Sequence, residues 1–187
     1  MTRPMLFFLT GLFPGGFVRK KRRTEAVCRL TTHEKESFVA TDFFQPGKTA
    51  REEKQNVTVG EVKISMVMGV SFREFFLPLI ERDIQPDSIL INRLLVQSNW
   101  IDLSTENGHQ ETMIRLYHFW KVLSLPIINA SEKGTSVSAF IFTCDNKPME
   151  VVAIKIDDGW YLDASLPSNK PNQMMPDGHI ICSRQPL

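Results

Sequence analysis

The chain has 187 residues, 42% of them apolar, enough for one domain with its own core or one domain with an appendage. A formal net charge of +1 excludes both a chain-wide nucleic-acid footprint and the charge excess of a disordered protein. Cys28, Cys144 and Cys182 form no CxxC pair, which argues against a zinc site, and their odd, sparse count argues against a disulfide framework.

Met5–Val18 is apolar but interrupted by Pro14-Gly15-Gly16, too short and too broken for a membrane span. Arg19, Lys20, Lys21, Arg22 and Arg23 follow as one basic run. A secretory signal places its basic residues first, so the order is wrong for one. Phe7, Phe8, Leu12, Phe13 and Phe17 beside Arg19–Arg23 are compatible with contact to an anionic membrane surface or to another anion such as phosphate. Each cation near such a surface contributes about 1 kcal/mol. A solvated basic linker and a nuclear-import string are the competing readings. A cytoplasmic or membrane-peripheral location is favoured. Residues 24–55 are polar and mixed in charge, with a short helix expected over Glu34–Val39. Gly47-Lys48-Thr49 resembles the end of a phosphate-binding loop, but Asp42 stands where the first glycine belongs, which favours a surface loop.

Val57–Val70 alternates as a strand between Gly60 and Gly69. Ser71–Arg82 carries Phe72, Phe75, Phe76, Leu79 and Ile80 at helical spacing, with Ser71 and Glu74 as a capping box and Pro78 as a kink. A short helix is expected after Pro86, with Ile91, Leu94 and Leu95 inward. Trp100–Gly108 reads as a linker. Gln110–Leu123 reads as a helix with Met113, Leu116, Tyr117, Trp120 and Leu123 on its apolar face, ended by Leu125-Pro126. Strands follow over Ser136–Cys144, apolar on both faces, and over Met149–Asp157, with Val152, Ile154 and Ile156 on one face. Asp145-Asn146-Lys147-Pro148 joins them, and Asp158-Gly159 turns the chain into Trp160–Asp163. Four prolines after residue 165 predict an irregular tail. The expected organisation is a leader and linker over 1–55, an α+β domain over 56–165 and a tail over 166–187. Within the domain, helices are expected on a curved antiparallel sheet built mainly by the C-terminal half.

Helix, short helix, helix and a meander ending in Asp158-Gly159-Trp160 and Asp163 resembles the nuclear-transport-factor-2-like, cone-shaped α+β fold across residues 70–165. The likeness implies a pocket or pairing surface on the concave face of the sheet. The strand Val57–Val70 departs from the simple form of that fold. Gly108–Pro126 also resembles the nucleophile helix of transglutaminase-like enzymes, with Val151–Ile156 and Asp163 in the places of the histidine strand and the aspartate. His109 stands where the cysteine belongs, and Met149 or Pro148 where the histidine belongs. That likeness implies at most an inactive relative.

Candidate contact residues for a ligand or partner are Tyr117, His118, Trp160 and Asp163, each weighed against a plain core or surface role. His109 and His118 are not spaced as a metal pair. Asp102, Asp157 and Asp158 are further carboxylates near the sheet, and Asp158 is explained by its turn. Two or more of Asp102, His109, His118, Tyr161 and Asp163 in one cavity would mark a pocket hydrolase or isomerase. Cys28, expected exposed, has cationic neighbours that lower a thiol pKa, but no base. Asn56-Val57-Thr58 and Asn129-Ala130-Ser131 fit the glycosylation triplet at chance frequency. No catalytic group, metal or cofactor is assigned. The reading favours a non-enzymatic binding or accessory module for a protein or small ligand, with a homodimer allowed and no specific nucleic acid.

Overall fold

The computed structural model describes residues 23–44, 55–59, 62–98, 112–157, 159–166 and 174–184. The fold is α+β. The strands are β1 (Thr24–Thr31), β2 (Lys35–Val39), β3 (Gln55–Val59), β4 (Val62–Met68), β5 (Ile80–Ile84), β6 (Ser88–Leu94), β7 (Ser136–Phe142), β8 (Pro148–Ile156), β9 (Gly159–Ser165) and β10 (Ile180–Ser183). The helices are α1 (Ala40–Phe43), α2 (Val70–Phe76), α3 (Leu116–Leu123) and α4 (Pro126–Asn129). Among the described residues, eight strands form a large, curved, unclosed sheet in the order β1-β6-β10-β7-β8-β9-β4-β3, and β2 pairs with β5 apart from it.

The sheet is mixed rather than antiparallel. β4 runs parallel to β9, with Met66 opposite Trp160, and β10 runs parallel to β7, with Ile180 opposite Val137. Its strands come from both halves of the chain, since β1, β3, β4 and β6 all precede residue 95. Two local signals act as expected. The turn after β7 places Asn146 in the left-handed region (φ 58°), and Thr143 and Lys147 close it by a backbone hydrogen bond of 2.9 Å. β8 and β9 form the hairpin signalled by Asp158-Gly159, with Ile156 opposite Gly159.

Several elements differ from expectation. The helix over Ser71–Arg82 stops at Phe76, because Pro78 breaks it, and Ile80–Ile84 is strand. Ile80 is consequently 53% exposed. The segment after Pro86 is β6 rather than a helix: Ile89 and Ile91 are buried at strand spacing, and Leu95 is exposed. The single strand over Val57–Val70 is a hairpin of β3 and β4, with Val59 opposite Val62. Glu34–Val39 contains β2 instead of a helix. On β8 the buried face is Met149, Val151 and Ala153, while Ile154 is 39% exposed, the reverse of the face assigned from the pattern.

The segment expected to be a linker feeds the core. Phe38, Phe43 and Phe44, from β2 and α1, join rings from both larger helices: Phe44 meets Phe72 at 5.1 Å and Trp120 at 5.3 Å, and Phe43 meets Trp120 at 5.7 Å. Phe72, Phe76, Phe119 and Trp120 share one buried cluster with Val137, Val151 and Leu162 of the sheet. The segment expected to be a loose tail supplies β10, buried at every position and seated between β6 and β7.

Candidate functional site

Two helices begin against carboxylates borne by strands. Glu81 points inward from β5 and is buried. Its Oε1 accepts the Leu116 N–H and its Oε2 the Tyr117 N–H, both at 2.9 Å, so one side chain satisfies the first two amides of α3. Burial raises the Glu81 pKa. The two helix amides and the Arg115 guanidinium oppose that rise by favouring the ionised form. Asp163 does the same for α2 from β9, accepting the Phe72 N–H at 3.4 Å. It also accepts the Ala164 N–H at 2.9 Å and the Tyr161 hydroxyl at 3.1 Å. The capping box expected from Ser71 and Glu74 is absent: the N-cap is Gly69, with no side-chain cap of its own.

Beside Glu81 lies a cleft of about 400 Å³, formed by β5, the segment before α3, the turn after β7 and the end of β10. Its polar walls are Glu81, Arg82, Arg115, Thr143, Asn146 and Arg184. Its apolar walls include Ile80, Met113, Ile114 and Phe142. Ile114 is fixed by donating its N–H to the Phe140 carbonyl of β7 at 3.0 Å. Arg115 donates from Nη1 to the Arg82 carbonyl at 3.4 Å. Arg184 donates from Nε to Asp87 Oδ2 at 2.7 Å. Asp87 is itself held by its backbone, exchanging hydrogen bonds with Thr32, and its Oδ1 accepts the Ser88 N–H.

The residues singled out from the sequence fall into separate places. Tyr117 is buried beside Glu81, and the ammonium groups of Lys35 and Lys121 lie over its ring at 5.7 and 5.6 Å. His118 is 1% exposed, and among the described residues neither ring nitrogen has a hydrogen-bond partner. Its Nδ1 is 3.8 Å from Asp87 Oδ2, beyond hydrogen-bonding range. Burial lowers its pKa to about 4, with Asp87 opposing and Arg184 and Arg115 adding to the fall. Trp160 is fully buried, opposite Met66, with Lys155 Nζ 5.1 Å from its ring. Lys155 is anchored in turn to the carbonyl and side chain of Asn129. Tyr161 meets Asp163, while His118 belongs to the Asp87 neighbourhood. Asp157 is an exposed partner of Lys133. Asp102, His109, Asp158, Gly47-Lys48-Thr49 and the basic residues Arg19, Lys20, Lys21 and Arg22 lie outside the described residues. Arg23 opens the described chain, and its carbonyl accepts the Leu95 N–H.

A second polar cluster escaped the sequence reading altogether. His179 is buried between two serines: Ser138 Oγ is 2.7 Å from Nε2 and Ser136 Oγ 2.5 Å from Nδ1. A neutral imidazole donates from one nitrogen and accepts at the other, so the two hydroxyls take complementary roles. Burial lowers its pKa to about 4. Ser138 is fully buried, and the His179 carbonyl accepts the Leu94 N–H at 2.8 Å. This cluster stitches β10 to β7 and β6. Cys28 is not activated as the basic run suggested. Cys28 is half-buried, and burial pushes its pKa up; Cys182 is fully buried and pushed much further. Among the described residues no group of three His, Cys, Asp or Glu side chains is placed to hold a metal, and no helix is long and apolar enough to cross a membrane.

Glu81, Arg115 and Arg184 were missed because nothing local marks them. The one hint was an acid two residues after a buried leucine, where Pro78 had already ended the helix. Set against known proteins, the chain matches no protein-family model, no curated protein and no solved structure.

Proposed function

We propose that the chain is a non-enzymatic binding module that takes a small ligand into the cleft beside Glu81. The observation carrying this reading is the cleft itself. Four segments far apart in sequence meet there, and hydrogen bonds hold two of its arginines, Arg115 and Arg184. Its volume lies at the small end of ligand pockets. The groups best suited to acid–base work are already engaged in holding the fold. Glu81 caps α3, Asp163 caps α2, and His179 is shared by two serines. We retain the cone-like arrangement as part of the proposal, with α2 and α3 covering one face of the curved sheet. The common buried cluster of helix and sheet residues supports it. A fragment screen on the full chain, read by amide chemical shifts, tests the function. Binders should move the amides of Arg115, Thr143 and Asn146. A screen whose hits all leave those three amides unmoved would overturn the reading.

A further inference from the structure

We infer that the ligand of this cleft is a compact organic oxyanion, a carboxylate or phosphate head on a small apolar body, gripped by Arg82, Arg115 and Arg184. This rests on the binding-module reading above and names the class of ligand. Three arginines, Arg82, Arg115 and Arg184, and one glutamate are among the residues that line the cleft. Glu81 is held by the amides of α3 and offsets Arg115, and Asp87 offsets Arg184 in an ion pair at 2.7 Å, so two carboxylates face three arginines. The cleft therefore keeps a surplus of positive charge. Guanidinium forks match the planar carboxylate and the phosphate face, and they do so best when already oriented. Two are oriented here. Arg115 is tied to the Arg82 carbonyl, and Arg184 is tied through Nε to Asp87, which leaves its terminal nitrogens for a ligand. Thr143 Oγ1 accepts the Lys147 N–H, so its hydroxyl proton is directed elsewhere and can serve the same head group. The apolar part of the ligand is set by Ile80 and Phe142, large side chains 53% and 36% exposed on the cleft wall. A purely inorganic anion would leave both uncovered.

The test is calorimetric titration of the full chain with benzoate, phenyl phosphate and the neutral isostere benzamide. At low salt the better anion should bind about tenfold or more tighter than benzamide, and raising salt to about 0.3 M should shrink that margin severalfold. Arg82→Ala and Arg115→Lys should each weaken anion binding about tenfold while leaving benzamide unchanged, because one removes a charge and the other keeps it without the fork. Circular dichroism of both variants checks the fold, and the wild-type comparison of benzoate with benzamide stands even if a variant fails. The order of benzoate and phenyl phosphate identifies the head group. Benzamide binding as tightly as either anion, or anion binding unchanged in both variants, overturns the oxyanion inference and leaves the binding module intact. Failure of all three compounds to bind, with the Thr143 and Asn146 amides unmoved, overturns the inference. If a broad neutral fragment screen also leaves those amides unmoved, the module reading falls with it.

Discussion

Gly69 precedes α2 with φ of −67°, a conformation open to any residue, so backbone freedom does not explain the glycine. Space does. A Cβ there would run into the Asp163 carboxylate that caps the helix. Gly69→Ala is expected to cost about 1–3 kcal/mol by overpacking, and Asp163→Ala about 1 kcal/mol as a lost cap. The two should not add: in the Asp163→Ala background the alanine at 69 should cost much less. Strict additivity in urea unfolding would show that the clash lies elsewhere. The buried histidines make a second residue-scale prediction. His118 and His179 are held at about 4, against an ordinary 6.5. The unfolded chain takes up these protons as pH falls below 6.5, and the folded chain does not until about 4, so the unfolded state binds more protons in that window. Stability should therefore fall as pH drops through it, by up to about 3 kcal/mol per histidine. Among the described residues His118 has no hydrogen-bond partner to lose, so His118→Leu should keep or raise the melting temperature at about pH 7 and reduce the loss on going to about pH 4.5. An acid loss as steep as in the wild type would remove His118 from the account.

β10 is four residues long, yet it holds the sheet together as an element. In the strand order it separates β1-β6 from β7-β8-β9-β4-β3, and it pairs on both sides. His179 adds the serine contacts to β7 and a backbone bond to β6 just before the strand begins. Removing it exposes the ladders of β6 and β7 and deletes Ile180 and Ile181, both almost fully buried. A chain ending at residue 178 should lose cooperative thermal unfolding, while one ending at residue 184 should melt like the full chain. A normal, cooperative melt of the shorter chain would show that the two strand groups are stable apart. Pro78 works at the same scale. By stopping α2 it frees Ile80–Ile84 to become β5, and only as a strand does that segment turn Glu81 inward to α3 and leave Arg82 at the cleft.

At the scale of the molecule, the open sheet is assembled from partners distant in sequence: Met66 with Trp160, Val137 with Ile180, and Thr24 with Leu94. Such pairings require large loops to close before contacts reward them, so refolding should take milliseconds to seconds rather than microseconds. Trp120 and Trp160, both buried, make stopped-flow fluorescence a suitable probe, and a microsecond phase carrying the full amplitude would contradict this. The same topology separates what the sequence determined from what it did not. Period and turn chemistry alone marked β7, β8 and β9 and their joining turns, because Asn146 and the Asp158-Gly159 pair act over a few residues and alternation is a local property. They also marked the breaking effect of Pro78 and the end of a helix at Leu123, but not its start: the helix expected from Gln110 begins at Leu116, after extended backbone at Arg115 where Glu81 takes the first amides. Local pattern could not tell β6 from a helix, since Ile91, Leu94 and Leu95 fit a helical period while Ile89 and Ile91 fit a strand period, and only pairing with β1 and β10 decides between them. Nor could it recognise Ile180–Ser183 as a central strand. Four residues after a proline-rich stretch carry too little signal, and their place in the sheet comes from pairing with β6 and β7. The candidate site was the least legible part. Arginines at 82, 115 and 184 look like ordinary surface charges one by one, and the roles of Asp163 and Glu81 depend on which helix begins opposite them. A charge becomes a cap or a ligand contact through what faces it in space, and that was decided by the tertiary structure.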